Sequence, residues 1–366
     1  MSEEFVLLRD EPLSRHSTFH AGGRCDLLLV ESGPALERLA ARGELPDDIS
    51  LVLGGGSNVL VSDDGVPGTV LKLRSRRGDP EAGLRRGDDG NVWLDGAWDW
   101  PAVALGATNS GWQGLESMVG IPGTVGGAVV QSIGAYGYEL RELVVAARAV
   151  DLSTGSVLEL GPADIGFRYR NTDLKTQAPP RLVVTQVGLR LARGAQHTPR
   201  YDQVAAKLGA GRSARTATYP PPEVAHAVLE LRASKSMIYR ADDSQTWGAG
   251  SFFKNPEIDP DHLAVLVNQL AVAPSEVPHW LIEPAVIRLS AGWLVERAGY
   301  RRGHRSGKVA LCDNHALGIV NATGQASAAE IAGLAGEVRG AVWEVAGVLL
   351  DPEPVLVGLE LPDPRT

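Results

Sequence analysis

Residues Leu51–Leu60 read LVLGGGSNVL: an apolar run enters three consecutive glycines and a Ser-Asn pair, and apolar residues then resume. Three glycines in a row take every Cβ out of the turn. Successive N–H groups can then face one concavity and an anion can approach the backbone closely, which is the geometry that holds a diphosphate. The same pattern also makes a tight strand-to-strand turn, and it matches neither the G-x-G-x-x-G nor the P-loop spacing. Upstream, Cys25–Val30 (CDLLLV) is a short apolar run, Pro34–Arg42 (PALERLAAR) is amphipathic at helical spacing, and Ile49–Leu53 (ISLVL) is apolar and β-branched. A β-α-β unit therefore delivers the chain into Gly54. Thr69–Leu73 and Asn91–Leu94 are expected to continue this layer.

A second glycine segment follows about 60 residues on. Gly114–Gly137 (GLESMVGIPGTVGGAVVQSIGAYG) holds seven glycines in 24 residues and few charges, so backbone rather than side chains lines whatever packs there. A flat ring system with a diphosphate tail is one such guest, and close helix packing is the plainer use. Around this segment Trp100–Asn109 reads as a helix, and Leu143–Leu152, Ser156–Leu160 and Leu182–Leu191 read as strands. Arg193–Tyr219 has the composition of a linker, with a short helical stretch near Tyr201–Leu208. Beyond Pro220-Pro221-Pro222, Glu223–Lys235 and Ser290–Ala298 are helical in pattern and Ala316–Asn321 is a strand. Ser327–Ala346 is a long helix opened by Ser327-x-x-Glu330 and closed by Gly347. Val348–Leu350 and Val355–Leu359 are expected as the last strands. These readings divide the chain at 1–97, 98–215 and 216–366.

Composition narrows the function classes. The 366 residues carry 35 Lys+Arg against 44 Asp+Glu, a formal charge of −9, which argues against a general nucleic-acid or anionic-membrane binder. No stretch approaches the roughly 20 apolar residues of a membrane span. The acidic start MSEEFVLLRD lacks the features of a signal peptide. With two cysteines, Cys25 and Cys312, there is no disulfide framework, and a cytoplasmic location is expected. The eight histidines show no paired ligand spacing, so no metal site is expected. Gly303–Val309 (GHRSGKV) is one residue short of a Walker loop and is read as a solvated cationic turn.

Three further segments could carry chemistry. Phe167–Lys175 (FRYRNTDLK) places Arg170 beside Tyr169, where a guanidinium can pair bidentately with a carboxylate, although a solvated arginine has the same look. Gly248–Pro256 (GAGSFFKNP) sets Ser251 among small residues, before two of the chain's five phenylalanines and next to the donors Lys254 and Asn255. It is not a G-x-S-x-G elbow, so the serine reads as a proton relay or a turn residue rather than a hydrolase nucleophile. Asp351-Pro-Glu353-Pro354 holds a carboxylate between prolines, as a charge partner or as a solvated turn acid.

Taken in order, LVLGGGSNVL, GIPGTVGGAVVQSIGAYG, RYRNTDLK, LRASK, GAGSFFKNP and PEP resemble the UDP-N-acetylenolpyruvoylglucosamine reductase family, over roughly Thr18 to Gly358. The order of these motifs carries the resemblance. It implies an α+β protein with a two-part FAD-binding domain of the vanillyl-alcohol-oxidase (PCMH) type and a C-terminal α+β substrate-binding domain. The implied activity reduces a UDP-sugar enolpyruvyl ether for peptidoglycan synthesis, with non-covalent FAD as cofactor and NADPH as co-substrate. The resemblance gives Arg170 and Glu353 the charge developing on the substrate carboxylate, and Ser251 the proton donation. It gives cofactor contacts to Gly54, Gly55, Gly56, Ser57, Asn58, Ile121, Pro122, Gly123, Thr124, Gly126, Gly127, Gly134 and Ala135. It gives substrate contacts to Tyr169, Tyr201, Lys235, Lys254, Asn255 and His315, the last where some members carry Gln.

The chain departs from the family pattern at Ser132 (Asn is common), Asn171 and Leu174 (Asp and Phe), and Pro354 (Val). None of these removes a proposed catalytic group. A small-molecule UDP-sugar is the expected partner, with no nucleic acid and no membrane insertion, and a monomer is expected. Two other readings stand beside this one: a flavin-dependent sugar or lactone oxidase of the same fold, and a non-catalytic flavin- or nucleotide-binding regulator.

Overall fold

The first β-α-β unit forms as its pattern demands. The computed structural model describes residues 4–75, 84–86, 90–194, 196–209 and 217–366. Strands Arg24–Val30 and Ile49–Leu53 both pair in parallel with Thr69–Leu73, which lies between them, and Phe5–Pro12 forms the other edge of the four-stranded sheet. The helix Gly33–Ala41 joins the two outer parallel strands. Ser32 caps it, its Oγ accepting from the Ala35 N–H at 3.1 Å, and Pro34 sits in the first turn, where its missing N–H costs nothing. Ala35, Leu36, Leu39 and Ala40 form the apolar stripe buried beneath it.

A five-stranded antiparallel sheet runs Val157–Leu160, Val144–Asp151, Leu182–Leu189, Val92–Asp95, Arg85–Arg86. Val92–Asp95 thus belongs to this second sheet and does not continue the first, as had been expected from its apolar content. Its pattern explains why: Val92 and Leu94 are buried while Trp93 and Asp95 are partly exposed, the alternation of a half-covered antiparallel strand. The helix Trp100–Asn109 has the predicted bounds and is capped by Asp99, which accepts from the Ala102 N–H. These two sheets, the glycine segments and the helix Pro221–Ala233 make up one compact unit, residues 1–11, 25–56 and 66–238.

The other unit holds residues 12–24, 57–65 and 239–366. Val59–Val61 pairs in parallel with Val355–Val357. His315–Asn321 pairs with Val309–Cys312, which pairs with Arg305–Ser306. A third sheet, Glu257–Ile258, Val286–Leu289 and His279–Glu283, has the helix Pro260–Leu270 between its strands in sequence. The helix Ala328–Ala346 shows the predicted capping box: the Ser327 Oγ accepts from Glu330 and the Glu330 carboxylate accepts from Ser327. Asp63 adds its carboxylate to the Ala328 and Ala329 N–H groups, and Gly347 closes the far end at φ 61°.

Val348–Leu350 is not a strand. Val348 and Leu350 are buried in the core, and the Leu350 carbonyl accepts from Arg339 Nε at 3.0 Å rather than from a neighbouring strand. Its apolar residues reflect packing of an irregular segment.

At Gly33, an added Cβ would lie 2.0 Å from the Thr185 carbonyl oxygen. Gly33→Ala is therefore expected to lower unfolding free energy by roughly 1–3 kcal/mol, the usual cost of overpacking. Thermal or urea melts check this, against an Ala substitution at Gly340, a helical position with nothing within 4 Å, which is not expected to destabilise.

Candidate active site

In the first unit the two glycine segments meet backbone to backbone. A Cβ on Gly55 would sit 2.6 Å from the Gly123 Cα, and one on Gly54 would sit 3.0 Å from the Thr124 Oγ1. Gly56 and Gly123 take positive φ values of 68° and 135°, which favour glycine. The ladder around them is regular: the Trp100 N–H donates to the Gly123 carbonyl, Val125 to Trp98, and Gly126 to Gly96. Thr124 caps the helix Val125–Gln131, its Oγ1 accepting from Gly127 at 3.2 Å. Gly126 faces the sheet, where a Cβ would lie 3.0 Å from the Val184 carbonyl oxygen. Gly54, Gly55, Gly123, Thr124 and Gly127 are thus brought together on a surface of main-chain N–H and C=O groups. Such a surface fits a flavin dinucleotide, whose diphosphate takes backbone N–H donors and whose ring needs flat clearance.

Arg170 has φ 54° and reaches the main chain just past that helix. Its Nη1 donates to the Ser132 carbonyl at 3.3 Å and its Nη2 to the Gly134 carbonyl, and its guanidinium lies 5.4 Å from the centre of the Tyr169 ring. A Cβ at Gly134 would approach the Tyr138 carbonyl at 2.6 Å and Arg170 Nη1 at 3.1 Å, so glycine there clears the space for the guanidinium.

Tyr201 and Lys235, which the resemblance expects to contact substrate, lie at the ends of the helices Asp202–Lys207 and Pro221–Ala233. Tyr201 lies edge-on to Tyr136 with ring centres 5.8 Å apart, and burial raises both phenol pKa values. Lys235 Nζ donates to Gln203 at 2.8 Å, and burial together with the Arg232 charge lowers its pKa.

Arg232 and Tyr136 were not singled out from sequence. Arg232 is buried, donates from Nη2 to the Met237 carbonyl, and is pushed down to about 10 by burial, with the Arg170 charge adding to the shift. The available signal was an arginine on the apolar stripe of the helix Pro221–Ala233, in line with Val224, Ala225 and Val228. The segment carrying Tyr201 is tied at its neck. His197 and Tyr219 exchange two backbone hydrogen bonds at 2.9 Å, and the His197 Nδ1 meets the buried Glu116 carboxylate at 2.5 Å.

In the second unit the serine and the acid are brought together by main-chain pairing. The Phe252 N–H donates to Leu317, Glu353 donates to the Phe252 carbonyl at 2.8 Å, and Lys254 donates to Asp351. Phe253 forms a bridge with Pro352. Ser251 and Glu353 therefore flank one short ladder, with Phe252 and Phe253 buried behind it. The Asn58 Nδ2 donates to the Glu353 carbonyl at 3.0 Å, and Val355 donates to the Asn58 carbonyl. This is a bracket for the acid that sequence reading had assigned to the cofactor side. The Ser251 Oγ lies 2.9 Å from the His315 Nε2. The Asn255 Oδ1 accepts the Ala291 N–H at 3.0 Å and so anchors the next helix. Among the described residues no cluster of three metal-ligating side chains occurs.

Comparison with known proteins sets this geometry among relatives. The profile of the UDP-N-acetylenolpyruvoylglucosamine reductase C-terminal domain matches residues 242–357, and that of an FAD binding domain matches residues 40–161. A UDP-N-acetylenolpyruvoylglucosamine reductase of Nocardia farcinica is 39% identical over 358 residues, 95% of this chain and 89% of that one. One of Saccharopolyspora erythraea is 36% identical over 360 residues, 95% of each. Among solved structures, a UDP-N-acetylenolpyruvylglucosamine reductase from Thermus caldophilus matches at 27% identity with a TM-score of 0.63, covering 96% of this chain and 99% of that one.

Gly55→Ala drives a methyl group into the Gly123 backbone and is expected to cost roughly 1–3 kcal/mol of stability, as overpacking does, and to weaken FAD binding by displacing the glycine surface. Visible flavin absorbance of the purified protein and FAD titration of the apoprotein check it.

Proposed function

The chain belongs to the UDP-N-acetylenolpyruvoylglucosamine reductase family, and from that membership we propose how its residues divide the work. It is a flavin-dependent oxidoreductase that uses FAD and reduces UDP-N-acetylglucosamine enolpyruvate in cell-wall precursor synthesis. Among the described residues no helix is long and apolar enough to cross a membrane. We take NADPH as the reductant, the cytoplasm as the location and the monomer as the working form.

The observation that supports this reading most is the ladder holding Ser251 and Glu353 on neighbouring backbone. FAD, when bound, supplies the hydride. Its seat is Gly54–Gly56 with Gly123, Thr124 and Gly127. Hydride arrival at one carbon of the enol ether sends negative charge toward the substrate carboxylate. The Arg170 guanidinium, held by the Ser132 and Gly134 carbonyls, stabilises that charge, and Glu353 shares this role as an acid, donating its O–H to the substrate carboxylate. The Ser251 hydroxyl then gives its proton to the adjacent carbon. Tyr201 covers the sugar nucleotide, and Lys235 and Lys254 meet its anionic groups, with Tyr169 and Asn255 beside them.

Anaerobic stopped-flow tests this. NADPH-reduced enzyme is expected to reoxidise on adding UDP-N-acetylglucosamine enolpyruvate. Ser251→Ala should keep its flavin absorbance and lose about 10²–10⁴-fold in that single-turnover rate, the usual share of a positioned proton donor. Oxygen consumption with simple sugars, independent of the enolpyruvyl substrate, would overturn the assignment in favour of an oxidase.

A further inference from the structure

We propose that His315 is the positioning residue of Ser251: it donates from Nε2 to the serine Oγ and so sets which way the hydroxyl hydrogen points and what holds the oxygen once that hydrogen has left. The inference rests on the reading of Ser251 as proton donor and assigns it a partner within the same unit.

The geometry is fixed from both sides. His315 is the first residue of the strand His315–Asn321, and that strand holds the serine segment along its length. Gly248 bridges to Val320, the Asn321 N–H donates to Trp247 at 3.0 Å, and the Phe252 N–H donates to Leu317 at 2.8 Å. The backbone turns between those contacts at Gly250, φ 68°. The Ser251 side chain is thereby returned to the start of the strand, where His315 Nε2 stands 2.9 Å from its Oγ. On the other flank Cys312 pairs with His315 across a register shift, and Cys312 is buried, so the imidazole is seated on a packed hairpin.

The direction of the hydrogen bond follows from the chemistry. If the serine donated to Nε2, its only proton would be committed to the ring and withheld from the substrate. With Nε2–H as donor, one oxygen lone pair is occupied and the O–H is left to transfer. In the step itself the Ser251 O–H bond breaks and a C–H bond forms on the carbon adjacent to the one that took the hydride. The electron pair stays on Oγ, and the alkoxide is held by a charge-assisted N–H···O⁻ bond until water reprotonates it. His315 loses no proton in this scheme. What it supplies is a fixed donor, and a glutamine amide can supply the same.

The test uses the full-length holoenzyme with His315→Ala, His315→Gln and Ser251→Ala, reading the two half-reactions separately by anaerobic stopped-flow. His315→Ala is expected to slow reoxidation of reduced flavin by UDP-N-acetylglucosamine enolpyruvate by about 10²-fold, the cost of losing one positioned donor. Flavin content and the rate of flavin reduction by NADPH should stay within about twofold, and His315→Gln should recover most of the loss. Reoxidation unchanged in His315→Ala overturns the proposal, and so does His315→Gln as slow as His315→Ala, which would make the imidazole a proton source instead. If His315→Ala yields no flavoprotein, His315→Gln against wild type decides on the same half-reaction. Ser251→Ala separates the two levels: unchanged reoxidation there removes the donor reading itself, whereas a slow Ser251→Ala with an unaffected His315→Ala removes this inference alone.

Discussion

Much of the first unit depends on one contact with no side chain in it. Gly55 and Gly123 approach until a single methyl group would bring atoms to 2.6 Å. That contact sets the start of the helix Val125–Gln131, capped at Thr124, and seven residues later the same helix ends at Ser132, whose carbonyl accepts from Arg170. At 1.5 Å of rise per residue the helix is about 10 Å long. One short rigid element therefore carries the glycine surface at one end and the guanidinium at the other. Ala128 and Val129 bury its side against the core, so the spacing does not drift.

The second unit reaches similar precision by another route. The side chains proposed to act on the substrate project from short segments held by ladder bonds: the serine segment on His315–Asn321, the acid segment on Phe252–Lys254, and the Asn58 side chain on the acid's own carbonyl. Main-chain hydrogen bonds are directional and hard to replace, so they locate Ser251, Glu353 and His315 with less freedom than loop contacts would allow. The Phe252 and Phe253 rings, packed edge to face, fill the volume behind them.

The sequence was most legible where periodicity is strong and local. The helices Trp100–Asn109 and Ala328–Ala346 and the strands Ile49–Leu53 and Thr69–Leu73 carry their own caps or apolar runs, and they form as read. Val92–Asp95 went to the wrong sheet because an alternating tetrapeptide says that one face is buried and not which partner buries it. Val348–Leu350 was misread because burial without ladder bonds leaves the same apolar trace as a strand. At the site, the glycine clusters announced a backbone surface. Nothing in the sequence paired Ser251 with His315, 64 residues away, or Asn58 with Glu353, 295 residues away. Such contacts follow from long-range register, which no local window contains. Arg232 was hidden for a related reason, since its partners are set by tertiary packing.

The five residues Gly54-Gly-Gly-Ser-Asn58 carry two tasks in one stretch of chain. The first three belong to the glycine surface of one unit, while Asn58 belongs to the other and brackets Glu353 there. The consequence concerns inheritance. A recombination event that exchanged the flavin-binding segment for another would have to break within these few codons, or it would carry the acid's bracket along with it. The chain passes from one unit to the other inside this pentapeptide, so one short stretch of sequence answers to two packed bodies.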